Sequence, residues 1–421
     1  MNTTAKVLVV GTTSDYIDWL LRIGEGRVLF LTDPQVRSKA REPAPTPKEE
    51  ILCSLTDVAS LRTALREHLH QWNITLTGIT CFDCESLGLA AFLAEELSLP
   101  FPTVESIRIC RDKYTTSSRW LKRSVRTPRF SLARSAYDAA DFQKKTGRPC
   151  VLKPVSGSGS ELVFFCDTES GCQRAAQILI RGIQERKENR LYSAAADCFL
   201  VEEFVEGIEY SCDFILEKTG VEILRITRKV RAKDAPFGTT RGYILTTCEA
   251  EGLDPKRLAV LFGRAAQALG LTRALCMVDF LWSEDEVVFL ELTPRPGGDC
   301  IPYLLRFATG MDILKVALDF AEKRPLDIPE PSSEGCCVGL RLHADRAGVL
   351  RHIATERLER DGRVKMVHLI RQGGHQVTLP PEDYESWYLG HLLFVPEAGR
   401  DVDEQCLEVQ RLLTLELEGE A

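Results

Sequence analysis

No stretch of this sequence approaches the roughly 20 uninterrupted apolar residues that a membrane-spanning helix requires, which argues against that class. There is no internal repeat and no low-complexity segment, so repeat architectures and fibrous classes are set aside. Positive charge is in deficit: 53 Lys and Arg stand against 61 Asp and Glu, a net charge of −8. That balance argues against a general nucleic-acid binder, whose nonspecific affinity comes from neutralising phosphates, but it leaves room for a localised basic pocket. The first six residues run directly into strand-like Val7-Leu8-Val9-Val10 without a basic n-region, a long apolar core or a cleavage site. The expectation is a soluble, cytoplasmic protein.

Cysteine is plentiful, with 15 residues, but the count is odd and the residues sit in apolar runs such as Val163-Phe164-Phe165-Cys166. Such usage suits buried free thiols in a reducing compartment. The one Cys-x-x-Cys, Cys81 to Cys84, has no partner pair at zinc-site spacing and no evident redox context, so its plain reading is structural. A redox or metal role is the alternative.

With 421 residues, 44% apolar and 27% charged, the chain has globular composition, and at roughly 100–200 residues per domain it is long enough for three domains. The first hundred residues alternate short strands, Val7–Val10, Val28–Leu31 and Leu76–Cys81, with helical patterns such as Glu85 to Leu97, which indicates a small parallel α/β domain. The Pro-rich stretch Arg41 to Pro47 is a surface loop, and Leu99-Pro100-Phe101-Pro102 closes the domain. From Thr103 to about Arg324 the strands lengthen and pair: Cys150–Lys153 with Leu162–Cys166, Phe199–Phe204 with Glu209–Leu216, and Ala274–Trp282 with Val287–Leu292. Helices at Pro255–Leu269 and Met311–Glu322 flank them, an α+β pattern. Beyond a linker from Pro325 to Pro331, three strands (Val338–Leu342, Val364–Ile370, Gly390–Val395) and a helix from about Asp403 to Leu415 make a small C-terminal domain.

Three segments carry chemistry. In the first, a strand delivers Lys153 and a loop of small residues, Ser156-Gly157-Ser158-Gly159-Ser160, follows before the next strand. Backbone N–H groups of such a loop can close around phosphate oxygens while the lysine supplies charge. It is neither a Walker P-loop nor a Rossmann fingerprint, and a plain Gly/Ser hairpin turn is the alternative. In the second, Glu202-Glu203-Phe204-Val205-Glu206-Gly207-Ile208-Glu209, a kinked link exposes backbone that suits the edge of an adenine, and Glu209 suits ribose hydroxyls; a solvated acidic turn is the alternative. In the third, a three-residue loop from Glu284 to Glu286 would set Asp279 across from Glu291 on one face of a hairpin. Two carboxylates so placed in apolar strands need a cation between them. Mg²⁺ bridging phosphates is the natural occupant; the alternative has one acid facing solvent. Arg295, on a Pro- and Gly-stiffened loop just beyond, is placed to brace a transferring phosphoryl group.

In order and spacing these segments resemble the ATP-grasp superfamily, over nearly the whole chain. Glu291-Leu292-Thr293-Pro294-Arg295-Pro296-Gly297-Gly298-Asp299 is most similar to the branch of carboxylate–amine ligases that includes dipeptide-forming amino-acid ligases. The resemblance implies α/β and α+β architecture: a Rossmann-like pre-ATP-grasp domain at 1–102, a two-lobed ATP-grasp domain at 103–325 with ATP between the lobes, and a C-terminal α+β domain at 326–421. It implies that Lys113 and Lys153 hold the ATP phosphates, that Ser156 to Ser160 form a lid, and that Glu202 and the backbone of Glu203, Phe204 and Val205 hold adenine, with Glu209 on the ribose. Asp279 and Glu291 become the Mg²⁺ ligands, with Mn²⁺ as an alternative ion, and Arg295 meets the γ-phosphate. Where the family commonly has Asn, this chain has Thr293, a weaker third metal ligand. The implied reaction activates a small-molecule carboxylate as an acyl phosphate and transfers it to a small-molecule amine. The basic stretch Arg225 to Arg241 suits an anionic substrate, a solvated loop being the alternative. Rival expectations are a purine-biosynthesis or biotin-carboxylase type of ligase, and a nucleotide-binding protein without turnover. The N-terminal domain offers a surface for a homodimer.

Overall fold

The four residues Val7, Leu8, Val9 and Val10 are all buried, as a strand covered on both faces requires. Val7 and Val9 join one apolar cluster with the helix Ser14–Ile23, while Leu8 and Val10 join another with Val58–Gln71 and Leu87–Leu97. The strands of this N-terminal sheet are parallel and ordered Glu50–Leu52, Val28–Thr32, Thr4–Val10, Ile74–Thr80, the expected small α/β unit with one additional edge strand. The computed structural model describes residues 3–186, 188–192, 197–329 and 336–419. The last two residues of the expected linker, Glu330 and Pro331, lie outside the described residues.

Two antiparallel sheets build the rest. A four-stranded sheet runs Phe130–Ala133, Phe199–Glu203, Cys150–Pro154, Phe164–Cys166, with the helices Ala136–Thr146 and Glu169–Glu185 packed on it. An eight-stranded sheet runs Glu286–Thr293, Ala274–Ser283, Ile208–Glu217, Gly220–Arg231, Thr240–Thr246, Cys337–His343, Tyr388–Phe394, Val364–Leu369. The helix Pro255–Ala268 seals one face of it, with Phe262 stacked on Phe214 and tilted against Phe280. The sheet continues past residue 325 without a break, so strands of the C-terminal region are its final three members. A three-stranded sheet of Gln376–Val377, Gly348–Ala354 and Thr414–Glu418 completes the chain. Among the described residues no helix is long and apolar enough to cross a membrane. All 15 cysteines are free thiols, most of them buried.

Several local expectations are corrected. Phe199–Glu203 does not pair with Ile208–Glu217: the two lie in different sheets, and the link from Phe204 to Gly207 passes from one lobe to the other. The true hairpin partner of Ile208–Glu217 is Gly220–Arg231. The strand after the Ser/Gly loop begins at Phe164, because Ser160 and Leu162 are left-handed, at φ 60° and 55°. The last helix spans only Val402–Gln410, and the residues beyond form a strand instead of more helix.

The N-terminal sheet is locked to the larger body at Gly78, where a Cβ would stand 2.7 Å from the carbonyl oxygen of Ala321, the last residue of the helix Ile313–Ala321. Gly78→Val is expected to destabilise the protein by about 2 kcal/mol through overpacking, read as a lower urea midpoint than wild type.

Candidate active site

The hairpin bearing Asp279 and Glu291 turns through two residues, not three: Glu284 and Asp285 sit at φ 51° and 60°, as a tight type I′ turn requires. Continued unbroken, that turn would set Asp279 against Leu290. A register shift between Asp279 and Phe280 restores the pairing of Asp279 with Glu291, so both carboxylates share a face. The expected opposition is therefore observed, reached through a bulge.

Asp279 Oδ2 accepts a 2.7 Å hydrogen bond from Lys229 Nζ, while its Oδ1 is buried without a hydrogen-bond partner. Burial raises the Asp279 pKa, and Lys229 offsets this only in part. Glu291 lies 3.6 Å from Lys113 Nζ; burial pushes it up, but Lys113, Arg111 and Lys153 together hold it below the ordinary carboxylate value. An unpartnered carboxylate oxygen beside a second acid is a fitting seat for a divalent cation. Among the described residues no three His, Cys, Asp or Glu side chains cluster as a metal cage, so a hard cation here would complete its shell with phosphate and water. Thr293, two residues past Glu291, is buried and lines the adjoining cavity.

Lys153 rises from the four-stranded sheet and pairs with Glu202 at 2.6 Å, so Glu202 meets the cavity as a lysine's partner. Glu203 turns its carboxylate toward Arg129 and Arg148. The N–H groups of Glu203 and Phe204 already donate to the carbonyls of Arg129 and Pro149. Lys113 begins the helix Lys113–Lys122, donates to the Gly157 carbonyl at 3.3 Å, and is held below its ordinary pKa by burial. Gly157 and Gly159 take φ of 149° and 67°, which L-residues resist. The Ser156 hydroxyl beneath them is buried without a partner.

Glu209 shares Lys229 with Asp279, at 2.9 Å, and also accepts from Arg231 at 2.9 Å. The basic stretch is thereby resolved by strand alternation. Arg225, Lys229 and Arg231 face the site, whereas Arg228 points to Asp403 and Arg241 to Asp234 and Gln410. Arg225 is fully engaged by Asp213, Ser211 and Thr227, and Asp213 in turn accepts from the N–H of Gly297, which anchors the loop carrying Arg295. Arg295 donates from Nε and Nη2 to Cys84 Sγ of the N-terminal domain, at 3.2 and 3.1 Å.

Two cavities meet at the paired acids. One, between the lobes, is lined by Lys113, Lys153, Gly157 to Ser160, Glu202 to Val205, Glu209, Asp279 and Glu291. The other shares Ser158 to Ser160, Lys229, Asp279 and Glu291 with it, and extends to Thr293, Arg295, Asp299 and Arg341. Of the residues expected on the nucleotide, the metal and the phosphoryl group, Ser156 alone lines neither. Sequence reasoning missed the contributions of the N-terminal domain (Thr12, Asp15, Tyr16 and the loop Phe82 to Glu85) and of Arg341, Tyr388 and His391 from the C-terminal strands. No local signal marks these. Lys229 was legible only as one cation in a crowd; the two-residue spacing from Arg225 to Arg231 was the clue to its face.

Residues 146–303 match the ATP-grasp domain family. An uncharacterised protein of Sinorhizobium fredii is 23% identical over 357 residues, 83% of this chain and 70% of that protein. The D-alanine–D-alanine ligase of Paracidovorax citrulli is 27% identical over 215 residues, 48% of this chain; the match spans only 59% of that ligase. The crystal structure of an L-amino acid ligase from Bacillus licheniformis superposes with a TM-score of 0.77 at 19% identity, covering 100% of both chains. This likeness shows the fold.

Lys229→Met would strand two buried carboxylates without the cation they share. An expected loss of about 3–5 kcal/mol follows, measured by chemical denaturation at neutral pH. Burial pushes Glu209 up, but Lys229 and Arg231 hold it below its ordinary value. In wild type its contribution is thus present above the ordinary carboxylate pKa and fades as pH falls through the lowered folded value. That acid-side fall should be smaller in the variant.

Proposed function

From an ATP-grasp domain at residues 146–303, in a chain that has the ATP-grasp fold along its whole length, we propose that the protein is a ligase that uses ATP to join a carboxylate to an amine. The observation that carries this reading is the junction of the two cavities over Asp279 and Glu291. A nucleotide in the interlobe cavity brings its terminal phosphate to the place where a second, cation-lined cavity begins.

In this reading Lys113 and Lys153 bind the phosphates, and the loop Ser156 to Ser160 closes over them. Lys153 is already oriented by Glu202 and Lys113 by Glu291, so little reorganisation is needed when the anion arrives. The link around Val205 meets the adenine. Glu209 can still accept from ribose hydroxyls, since a carboxylate offers about four lone-pair sites and two donors, Lys229 and Arg231, reach it. Asp279 and Glu291, with Thr293 as a weaker third ligand, hold the metal. Mg²⁺, or Mn²⁺ in its place, supplies neutralisation of the charge that develops on the phosphates. Arg295 meets the transferring phosphoryl group.

The substrate carboxylate oxygen attacks the γ-phosphorus, the bond to the ADP oxygen breaks, and an acyl phosphate forms. The amine nitrogen then attacks the carbonyl carbon, loses its proton, and inorganic phosphate leaves, so two favourable steps replace one uphill condensation. The lobes and lid exclude water, to which the acyl phosphate would otherwise be lost.

A panel of acids and amines, screened for phosphate release in the presence of ATP and Mg²⁺, tests this. Release of ADP and phosphate should require both an acid and an amine, and Lys153→Ala or Glu291→Ala should slow it by about 10²–10³-fold. Variants that turn over as fast as wild type, or nucleotide binding without ADP formation across the panel, would overturn the proposal.

A further inference from the structure

The second cavity has a volume of about 400 Å³, within the range of small-molecule sites, and the C-terminal strands supply part of its wall. Arg341 and His391 are direct partners on the adjacent antiparallel strands Cys337–His343 and Tyr388–Phe394, so their side chains share one face of the sheet, and both line this cavity. Each keeps a polar atom that the protein does not satisfy. Arg341 Nε is buried without a hydrogen-bond partner, and Nη1 meets the Thr240 carbonyl only at 3.5 Å. The ring of Tyr388, its centroid 4.7 Å from the guanidinium carbon, steadies the group from one face. His391 is 3% exposed, and its Nε2 has no partner. A third such group, the buried hydroxyl of Thr12, comes from the loop after the first strand.

The chemistry of these groups says what they can receive. Burial, with His368 and Arg341 beside it, lowers the His391 pKa to about 3, so the ring is neutral. Its Nδ1 lies 3.3 Å from the Tyr388 hydroxyl. A ring that accepts from this hydroxyl carries its proton on Nε2, a donor with nothing to receive it. Arg341 is permanently charged. Asp299 Oδ2 lies 3.5 Å from its Nε, but that carboxylate is 38% exposed and shares its charge with water. Asp15 is taken up by the Tyr303 hydroxyl at 2.9 Å. Burial pushes the Tyr243 and Tyr388 hydroxyls up, so neither adds a negative charge. An apolar ligand would leave three buried polar groups unpaired, at a cost for each, whereas a carboxylate can accept from all three and meets the guanidinium as its counter-ion.

We infer that Arg341 and His391, with Thr12, bind a substrate carboxylate that takes no part in the reaction and so select substrates with a second anionic group, an inference that rests on the ligase reading above. The reacting carboxylate belongs with Asp279, Glu291 and Arg295, where the two cavities meet. The loop from Arg295 to Asp299 connects the two places, with its arginine at the reacting end and its acid beside Arg341. The second carboxylate belongs either to the acid, which is then a dicarboxylate, or to the amine, which is then an amino acid. Either way it anchors the substrate and leaves the chemistry to the paired acids and their metal.

The test takes the most active acid and amine found by phosphate release. Each that carries a carboxylate outside the new bond is compared with the analogue in which a carboxamide replaces it. One such replacement should lower kcat/KM of wild type by about 10–100-fold, mainly through KM, as loss of a charged hydrogen-bond pair does. Which replacement does so tells a dicarboxylate from an amino acid. In Arg341→Met the discrimination should nearly vanish, and in His391→Phe it should shrink. A best pair with no second carboxylate, equal turnover of acid and carboxamide in wild type, or undiminished discrimination in Arg341→Met overturns the inference. The wild-type comparison decides the matter even if the variants do not fold. If no acid and amine yield ADP, the ligase reading fails, and the subsite is judged on binding alone. At constant ionic strength, glutarate or L-alanine should then raise the melting temperature of wild type where glutaramate or L-alaninamide does not, and no difference within either pair overturns the subsite.

Discussion

The site depends on one buried ammonium shared by two carboxylates. Lys229 reaches Asp279 on one side and Glu209 on the other, each within 2.9 Å, and all three side chains are largely withdrawn from water. Desolvation alone drives a carboxylate toward its neutral form, and Lys229 opposes this at both acids, joined at Glu209 by Arg231. The lysine engages only one oxygen of Asp279, and the other is left buried and unpartnered. The same interaction therefore opposes the effect of burial on Asp279 and leaves its second oxygen open to a further cation.

Around that centre the protein divides its labour between regions far apart in sequence. The four-stranded sheet contributes Lys153, the eight-stranded sheet contributes the acids and Lys229, and the link from Phe204 to Gly207 joins the two. Gly207 fits there because a Cβ would stand 2.6 Å from the Trp282 carbonyl, which draws the link tightly against the hairpin that carries Asp279 and Glu291. Arg295 is oriented from two directions: Asp213 and Arg225 fix the backbone of its loop, and Cys84 of the N-terminal domain fixes its guanidinium. The N-terminal domain thus takes part in the site through side-chain contact and does not merely flank it.

Unmet hydrogen-bonding capacity gathers in the same region. Among the described residues, Thr12 Oγ1, Asp279 Oδ1, Arg341 Nε and His391 Nε2 are buried without hydrogen-bond partners, and all four residues line the second cavity. Buried polar groups left unpaired are costly, and their concentration beside one cavity is what a site for polar ligands requires. His391 lies directly opposite Arg341 across paired strands, and burial lowers its pKa to about 3, so it faces the cavity wall as a neutral ring.

Much of this was legible from the chain alone, wherever the cause was local. Buried parallel strands showed as unbroken apolar runs, the lysine strand and its loop of small residues showed in composition, and the opposition of Asp279 to Glu291 followed from hairpin alternation. Even there a turn one residue shorter and a bulge compensated each other, two features that periodicity cannot separate. What the tertiary structure decided was sheet membership: a short buried strand such as Phe199–Glu203 carries no mark of which sheet it will join, because that depends on partners remote in sequence. The same reason hid Lys229 among its basic neighbours and Cys84 in an unremarkable motif. Each acquires its chemistry only from a side chain brought to it by the fold, 50 residues away for Asp279 and 211 residues away for Arg295.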